Sequence, residues 1–193
     1  LFRSVVGGIA ATPDAVGEKN TQSINTGLLP AWIGFSGKTR QNDLDVAFTI
    51  SMQPNVSDNG AAGDANTPLN RQAFITFGDK SWGSIKLGKD IGIFAQDAIL
   101  NDMTLLGVGG AAGNSGTATT LGGIGTGYIY AAWKGQVAYT SPNWNGFQFA
   151  AAVREPWGNA SNHNLGFEGK ATYDFKSDDV NGRVWVSGFS QKT

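Results

Sequence analysis

The sequence predicts an all-β chain whose strands run antiparallel, up and down, in chain order. Three observations carry this. Apolar and polar residues alternate with a period of two along several stretches, whereas helix-period patterns are scarce. The connections between these stretches alternate between short polar turns and long polar loops, as in hairpins laid side by side. No stretch reaches the roughly 18 consecutive apolar residues of a membrane-spanning helix, so any membrane role falls to strands.

In chain order, strands are expected near residues 2–11, 28–37, 43–53, 71–78, 84–90, 134–141, 146–155, 164–176 and 182–191. The third is the clearest: Leu44, Val46, Phe48, Ile50 and Met52 share one face, and Asp45, Ala47, Thr49 and Ser51 the other. The eighth repeats the pattern, with Leu165, Phe167, Ala171, Tyr173 and Phe175 opposing Glu168, Lys170, Thr172 and Asp174. Gly37–Asn42, Asp79–Gly83, Ser141–Gly146 and Ser177–Gly182 are the short turns. Pro54–Asn70, Gly92–Trp133 and Pro156–His163 are the long loops. Gly92–Trp133 is 42 residues long, well beyond the roughly 12–15 at which a structureless loop in a compact domain calls for a function. Its first part, Ile93–Leu106, is expected to form a short helix that makes contacts on more than one face. Its second, Gly107–Gly127, is too rich in Gly, Ala, Ser and Thr for regular packing.

Composition excludes several function classes. Fourteen Lys and Arg against fifteen Asp and Glu give a net charge of −1 with no basic block, so there is no electrostatic footprint for nucleic acid. The lack of cysteine removes disulfide scaffolds, thiolate metal sites and thiol nucleophiles. A single histidine, His163, in a polar loop, cannot build a histidine cluster. Gly37-Lys38-Thr39 lacks the upstream glycine of a phosphate loop, since position 32 is Trp, and it leads into a strand. Gly122-Gly123-Ile124-Gly125-Thr126-Gly127 follows no strand and precedes no helix, so it is ordinary loop glycine. Asp178-Asp179 and Asp58-Asn59-Gly60 are turn chemistry without calcium-ligand spacing. No cofactor or metal ion is expected, and no enzyme, because no nucleophile–base pair is visible.

Asp97 and Asp102 are the only carboxylates of the long loop, and no Lys or Arg occurs between Asp90 and Trp133. Two acids that keep a surface loop soluble would explain this. The functional reading has them facing a cavity opposite bases on strands, with Arg71 and Lys134, each at the start of a strand, as the candidate bases.

Arg71-Gln72-Ala73-Phe74 with Gly78, then Trp82-Gly83-Ser84 and Gly88-Lys89, resembles the hairpin that precedes the third loop of general Gram-negative outer-membrane porins. Asp97–Met103 is similar to the acidic helical part of that loop, and Tyr139-Thr140-Ser141-Pro142-Asn143-Trp144-Asn145-Gly146-Phe147 resembles the hairpin after it. The three motifs occur in the family's order and span most of residues 28–155. The resemblance implies an antiparallel up-and-down transmembrane β-barrel, the trimeric 16-stranded type, in which loop 92–133 folds into the lumen and constricts the pore. It also implies that Asp102 is the principal loop acid, Asp97 a second acid and Arg71 a wall base. Expected wall arginines fall at Trp32 and at Ala132, with Lys134 two residues along, and a further loop acid falls at Leu106, which implies a weaker, more apolar eyelet.

Strands cross hydrocarbon only as a closed barrel, because every backbone N–H and C=O must be paired there. Leu44, Val46, Phe48 and Ile50 would face lipid or a neighbouring subunit, while Asp45, Thr49, Glu168, Lys170 and Asp174 face water. Phe35, Trp82, Trp144, Phe147, Trp157, Phe167 and Phe175, near strand ends, are candidates for an aromatic girdle. The expected function is passive diffusion of ions and small hydrophilic solutes across the bacterial outer membrane. The expected partners are those solutes, outer-membrane lipid, lipopolysaccharide and further copies of the chain. The rival reading is a secreted or surface carbohydrate-binding β-sandwich, suggested by Trp, Asn and Gly in loops. Nine expected strands are odd in number and fall short of the 16–18 of an aqueous porin. Residues 1–193 are therefore expected to be part of a single barrel domain, about half of its strands.

Overall fold

The computed structural model describes residues 31–54, 69–102, 129, 131–156 and 164–192. The expected strand at 2–11, the stretch 107–127, Trp157 and His163 lie outside the described residues. The chain divides into two compact units. In the first, formed by residues 1–34, 52–70 and 101–128, the Gln53 side-chain amide donates to the Leu69 carbonyl (2.7 Å) and accepts from Trp32 Nε1 (3.2 Å). The second, residues 35–51, 71–100 and 129–193, carries most of each strand.

The elements are β1 (Ile33–Gln41), β2 (Leu44–Gln53), β3 (Leu69–Asp79), β4 (Gly83–Ile91), α1 (Gln96–Leu100), β5 (Trp133–Thr140), β6 (Phe147–Arg154), β7 (Gly166–Lys176) and β8 (Asn181–Gln191). Among the described residues the strands form one sheet in the order β1 to β8, the up-and-down meander that the spacing of turns and loops predicts. The registers from β3 to β8 are antiparallel throughout. A β-sandwich needs two packed sheets, and the described strands make a single one.

The largest departure from expectation is the first hairpin. Instead of a turn over 37–42, the chain turns at Asn42 and Asp43, with φ of 49° and 62°. Two successive left-handed residues match the right-handed twist of the flanking strands, and short polar side chains tolerate that conformation. β1 therefore runs on through Gln41, and Arg40 reaches Asp45 (2.6 Å) and Asp79 (2.8 Å) across two neighbouring strands. Asn145-Gly146 repeats the device with φ of 51° and 98°, and Trp144 and Phe147 exchange backbone hydrogen bonds of 2.8 and 3.1 Å around it. Of the helix expected over Ile93–Leu106, the described residues 93–102 contain only the five of α1, and it starts three residues late because the backbone of the preceding residues is engaged by the sheet, as described below.

Side chains divide by parity into two faces whose burial is inverted relative to a water-soluble sheet protein. On one face large apolar groups are exposed: Phe48 45%, Val137 54%, Phe167 57% and Val186 70%. On the other, charged groups are buried: Asp90 4%, Arg154 2% and Glu168 5%. Exposed apolar area on this scale marks contact with lipid or protein rather than water. Tyr139, Trp144, Phe147 and Phe149 cluster beside the Asn145-Gly146 turn, with ring centroids 5.8 to 6.3 Å apart. Tyr173 is the register partner of Phe147, which extends the aromatic row at that edge of the sheet, where a barrel carries its interfacial girdle.

The facing assignment has a direct test. In lipid vesicles, Ile75→Arg, on the apolar face, is expected to lower the unfolding free energy of the full-length protein by about 2–4 kcal/mol. Thr76→Arg, on the polar face, is expected to cost well under half of that; equal losses in a urea titration would contradict the assignment.

Candidate functional site

The site is the path of the chain immediately after β4. Parity places Ala138 of β5 and Ala150 and Ala152 of β6 on the polar face, and these small side chains leave a shallow trough. Ile93 fills it, forming with the three alanines a buried apolar cluster. Gly92, which leads into the trough, donates its N–H to the Ala132 carbonyl (2.9 Å). A Cβ at position 92 would lie 2.6 Å from the Ala131 carbonyl oxygen and 2.7 Å from Arg154 Nη1, so only glycine permits this approach.

Beyond the trough the backbone is held by β7 and β8. The Phe94 N–H donates to Glu168 Oε2 (3.1 Å) and the Ala95 N–H to Ser187 Oγ (3.4 Å). The Phe94 ring packs against Phe189 with centroids 4.8 Å apart. α1 then presents Asp97, which is buried and accepts from Lys170 Nζ (2.7 Å) and Arg183 Nη1 (3.5 Å). Gln96 Oε1 accepts from the same lysine (3.0 Å), and Arg183 also grips Asp174 (2.5 and 2.8 Å). An acidic loop residue thus meets two bases of the polar face.

One buried ion pair fastens both ends of the long loop. Arg154 Nε lies 2.8 Å from Glu168 Oε1, with each side chain 1% exposed. Glu168 binds the Phe94 amide at the start of the loop, and Arg154 Nη1 donates to the Ala131 carbonyl (3.1 Å) at its end. Gln136 Nε2 adds a bond to the Ile91 carbonyl (3.0 Å). A second polar chain crosses β2 to β4: Ser51 Oγ donates to Gln72 Oε1 (3.0 Å), Gln72 Nε2 donates to Asp90 Oδ1 (3.0 Å), and Asp90 pairs with Lys86. Nearer the short turns, the sheet borders a cavity of about 860 Å³ lined by Lys38, Arg40, Asp45, Asp79 and Lys80 among others. Among the described residues no group of three or more His, Cys, Asp or Glu is placed to hold a metal ion.

The four residues singled out from the sequence fall in four different settings. Asp97 meets Lys170 and Arg183. Lys134 is the register partner of Asp90 and donates from Nζ to the Pro156 carbonyl (2.5 Å). The Arg71 guanidinium lies 5.8 Å from the centroid of the Trp133 ring. Its neighbour Gln72 reaches the polar face, so strand alternation turns Arg71 to the apolar one. Asp102 is half-buried, follows α1, and belongs to the other compact unit. Lys170, Arg183, Arg154 and Glu168 are not among the residues singled out above; Lys170, Arg183 and Glu168 are charges at polar-face positions between apolar residues or glycine, which is the signal that finds them, whereas Arg154, between Val153 and Glu155, ends its strand without that signal.

Removing one partner of a buried ion pair leaves the other uncompensated, at about 3–5 kcal/mol. Glu168→Ala is therefore expected to destabilise the full-length protein by about that much. Arg154→Met combined with Glu168→Leu should recover much of the loss, and a double variant as unstable as the single one in urea unfolding would contradict the assignment.

A model of the family described as Gram-negative porin matches residues 5–191. A search of curated proteins returns no match. Among solved structures, the anion-selective porin from Comamonas acidovorans is similar at 13% identity and a TM-score of 0.44, over 87% of this chain and 61% of that one. The chain thus spans about three-fifths of the length of that porin. With all but a few terminal residues inside the family match, the chain belongs to the Gram-negative porin family, β-barrel proteins of the bacterial outer membrane.

Proposed function

We propose that the chain is part of a passive diffusion channel for ions and small hydrophilic solutes, with about half of its strands, and that loop 92–133 constricts its lumen. The observation that carries this reading is the acid of the loop, Asp97, seated against Lys170 and Arg183 on the polar face of the sheet. Solutes pass down their gradients with no covalent step, and selection comes from the width of the opening and from fixed charges along it. The acids of this lining are Asp97 and Asp102, and its bases are Lys134, Lys170 and Arg183. Arg71, stacked on Trp133, contributes at the strand end instead. The exposed apolar face meets lipid acyl chains and, in a homotrimer, neighbouring subunits; lipopolysaccharide borders it in the outer leaflet.

In planar bilayers the full-length protein is expected to give stepwise, water-filled conductance, and silence at every voltage would contradict the reading. Asp97→Asn leaves Lys170 and Arg183 with less compensating charge, so the reversal potential in a salt gradient is expected to move towards the anion. An unchanged potential would remove Asp97 from the permeation path.

A further inference from the structure

Beneath α1 lies a cavity of about 180 Å³ whose walls are richer in hydrogen-bond donors than in acceptors. Lys86 and Lys170 line it together with Thr140, Thr172, Gln148 and Gln96, with Ile93, Phe149 and Ala150 as its apolar part, and no carboxylate is among the lining residues. The carboxylates that pair with the two lysines, Asp90 and Asp97, lie outside the wall of this space.

The hydrogen bonds of the two ammonium groups leave N–H groups to spare. A lysine has three. Lys86 gives one to Asp90 and rests its cationic head 4.8 Å from the centroid of the Phe74 ring. Lys170 gives one to Asp97 and one to Gln96. Gln148 Nε2 donates to the Ser141 carbonyl (3.0 Å), which uses one of its two N–H groups, and the Thr140 hydroxyl adds a further donor to the wall. Donor-bearing side chains, two of them cationic, line a space of about six water volumes at roughly 30 Å³ each. Charge-assisted hydrogen bonds to an anion are the strongest that such a donor set can make.

We propose that this cavity is a binding site for one small oxyanion, a carboxylate or an inorganic oxyanion of sulfate size, held between Lys86 and Lys170 behind the constricting loop. The register explains why the site has room. Ala150 stands directly between Thr140 of β5 and Lys170 of β7, so a larger residue there would occupy the floor. The site rests on the channel reading in one respect only: anions reach it from the lumen. Its occupancy would add a negative charge next to Asp97, and chloride current would fall saturably as the oxyanion concentration rises.

The experiment uses the full-length protein in planar bilayers in potassium chloride, titrated with sodium sulfate in one arm and sodium acetate in another. Saturable reduction of the current in either arm, lost in Lys86→Met and in Ala150→Leu, is the expected result. Ala150→Leu fills the floor without changing charge; since Ala150 also seats Ile93, Thr140→Val, which removes a wall donor at nearly constant volume, is the variant that separates a cavity site from general screening by the lumen, with weakened saturation expected. Sulfate alone active would identify the inorganic oxyanion as the ligand, and acetate alone the carboxylate. A linear dependence on concentration, or saturation unchanged in Ala150→Leu, would overturn the proposal. In either of those cases the conductance without oxyanion still reports separately on the channel reading. Should a variant fail to fold, crystals of the unsubstituted protein soaked in selenate and, separately, in acetate give an independent readout: anomalous density for selenate or difference density for acetate in the cavity supports the site, and the absence of both at saturating concentration overturns it.

Discussion

The structure depends on one constraint, the period of two that a β-strand imposes on its side chains. Along the eight described strands, paired in sequence order, that period keeps Phe48, Ile75, Val137, Phe167 and Val186 on one face and Ser51, Gln136, Glu168 and Thr172 on the other. A water-soluble sheet would bury the first group and expose the second. Here the order is reversed, which is the arrangement required where the outer solvent is hydrocarbon and the backbone must pair strand to strand.

The seat of the loop follows from the same parity. Three alanines on the polar face leave room for Ile93, a glycine lets the chain bend in past Ala131 and Arg154, and Glu168 and Ser187 take the next two amides. Charge then fixes α1, since Asp97 arrives where Lys170 and Arg183 stand on adjacent strands. A buried ion pair is a weak source of net stability, because desolvation offsets most of the attraction. The Arg154–Glu168 pair is better understood as a device of position, since it ties Phe94 and Ala131, near the two ends of a long loop, to neighbouring strands.

Much of the fold was legible because strand periodicity is local: Leu44–Met52 declares its two faces without reference to the rest of the chain. Turn chemistry was legible at Asn145-Gly146 and misplaced at Asn42-Asp43, where Gly37 and the polar run after it drew the boundary too early. The site was legible as a loop with two acids and no bases. Its partners were not, because Lys170 lies 73 residues and Arg183 86 residues further along, and only the registers of β5 to β8 bring them opposite Asp97. Arg71 shows the converse: its charge is evident from the sequence, but the direction of Gln72 decides its face.

The central claim is that the start of loop 92–133 lies on the polar face, against β7 and β8, in the assembled protein. Residues 1–193 include no cysteine, so within them pairs of introduced thiols report on this without background. Full-length protein in lipid, carrying Phe94→Cys with Phe189→Cys, is predicted to cross-link rapidly with a short bifunctional thiol reagent, whereas Phe94→Cys with Val186→Cys, on the opposite face, is not. Equal yields from the two pairs, or preference for the second, would contradict the account.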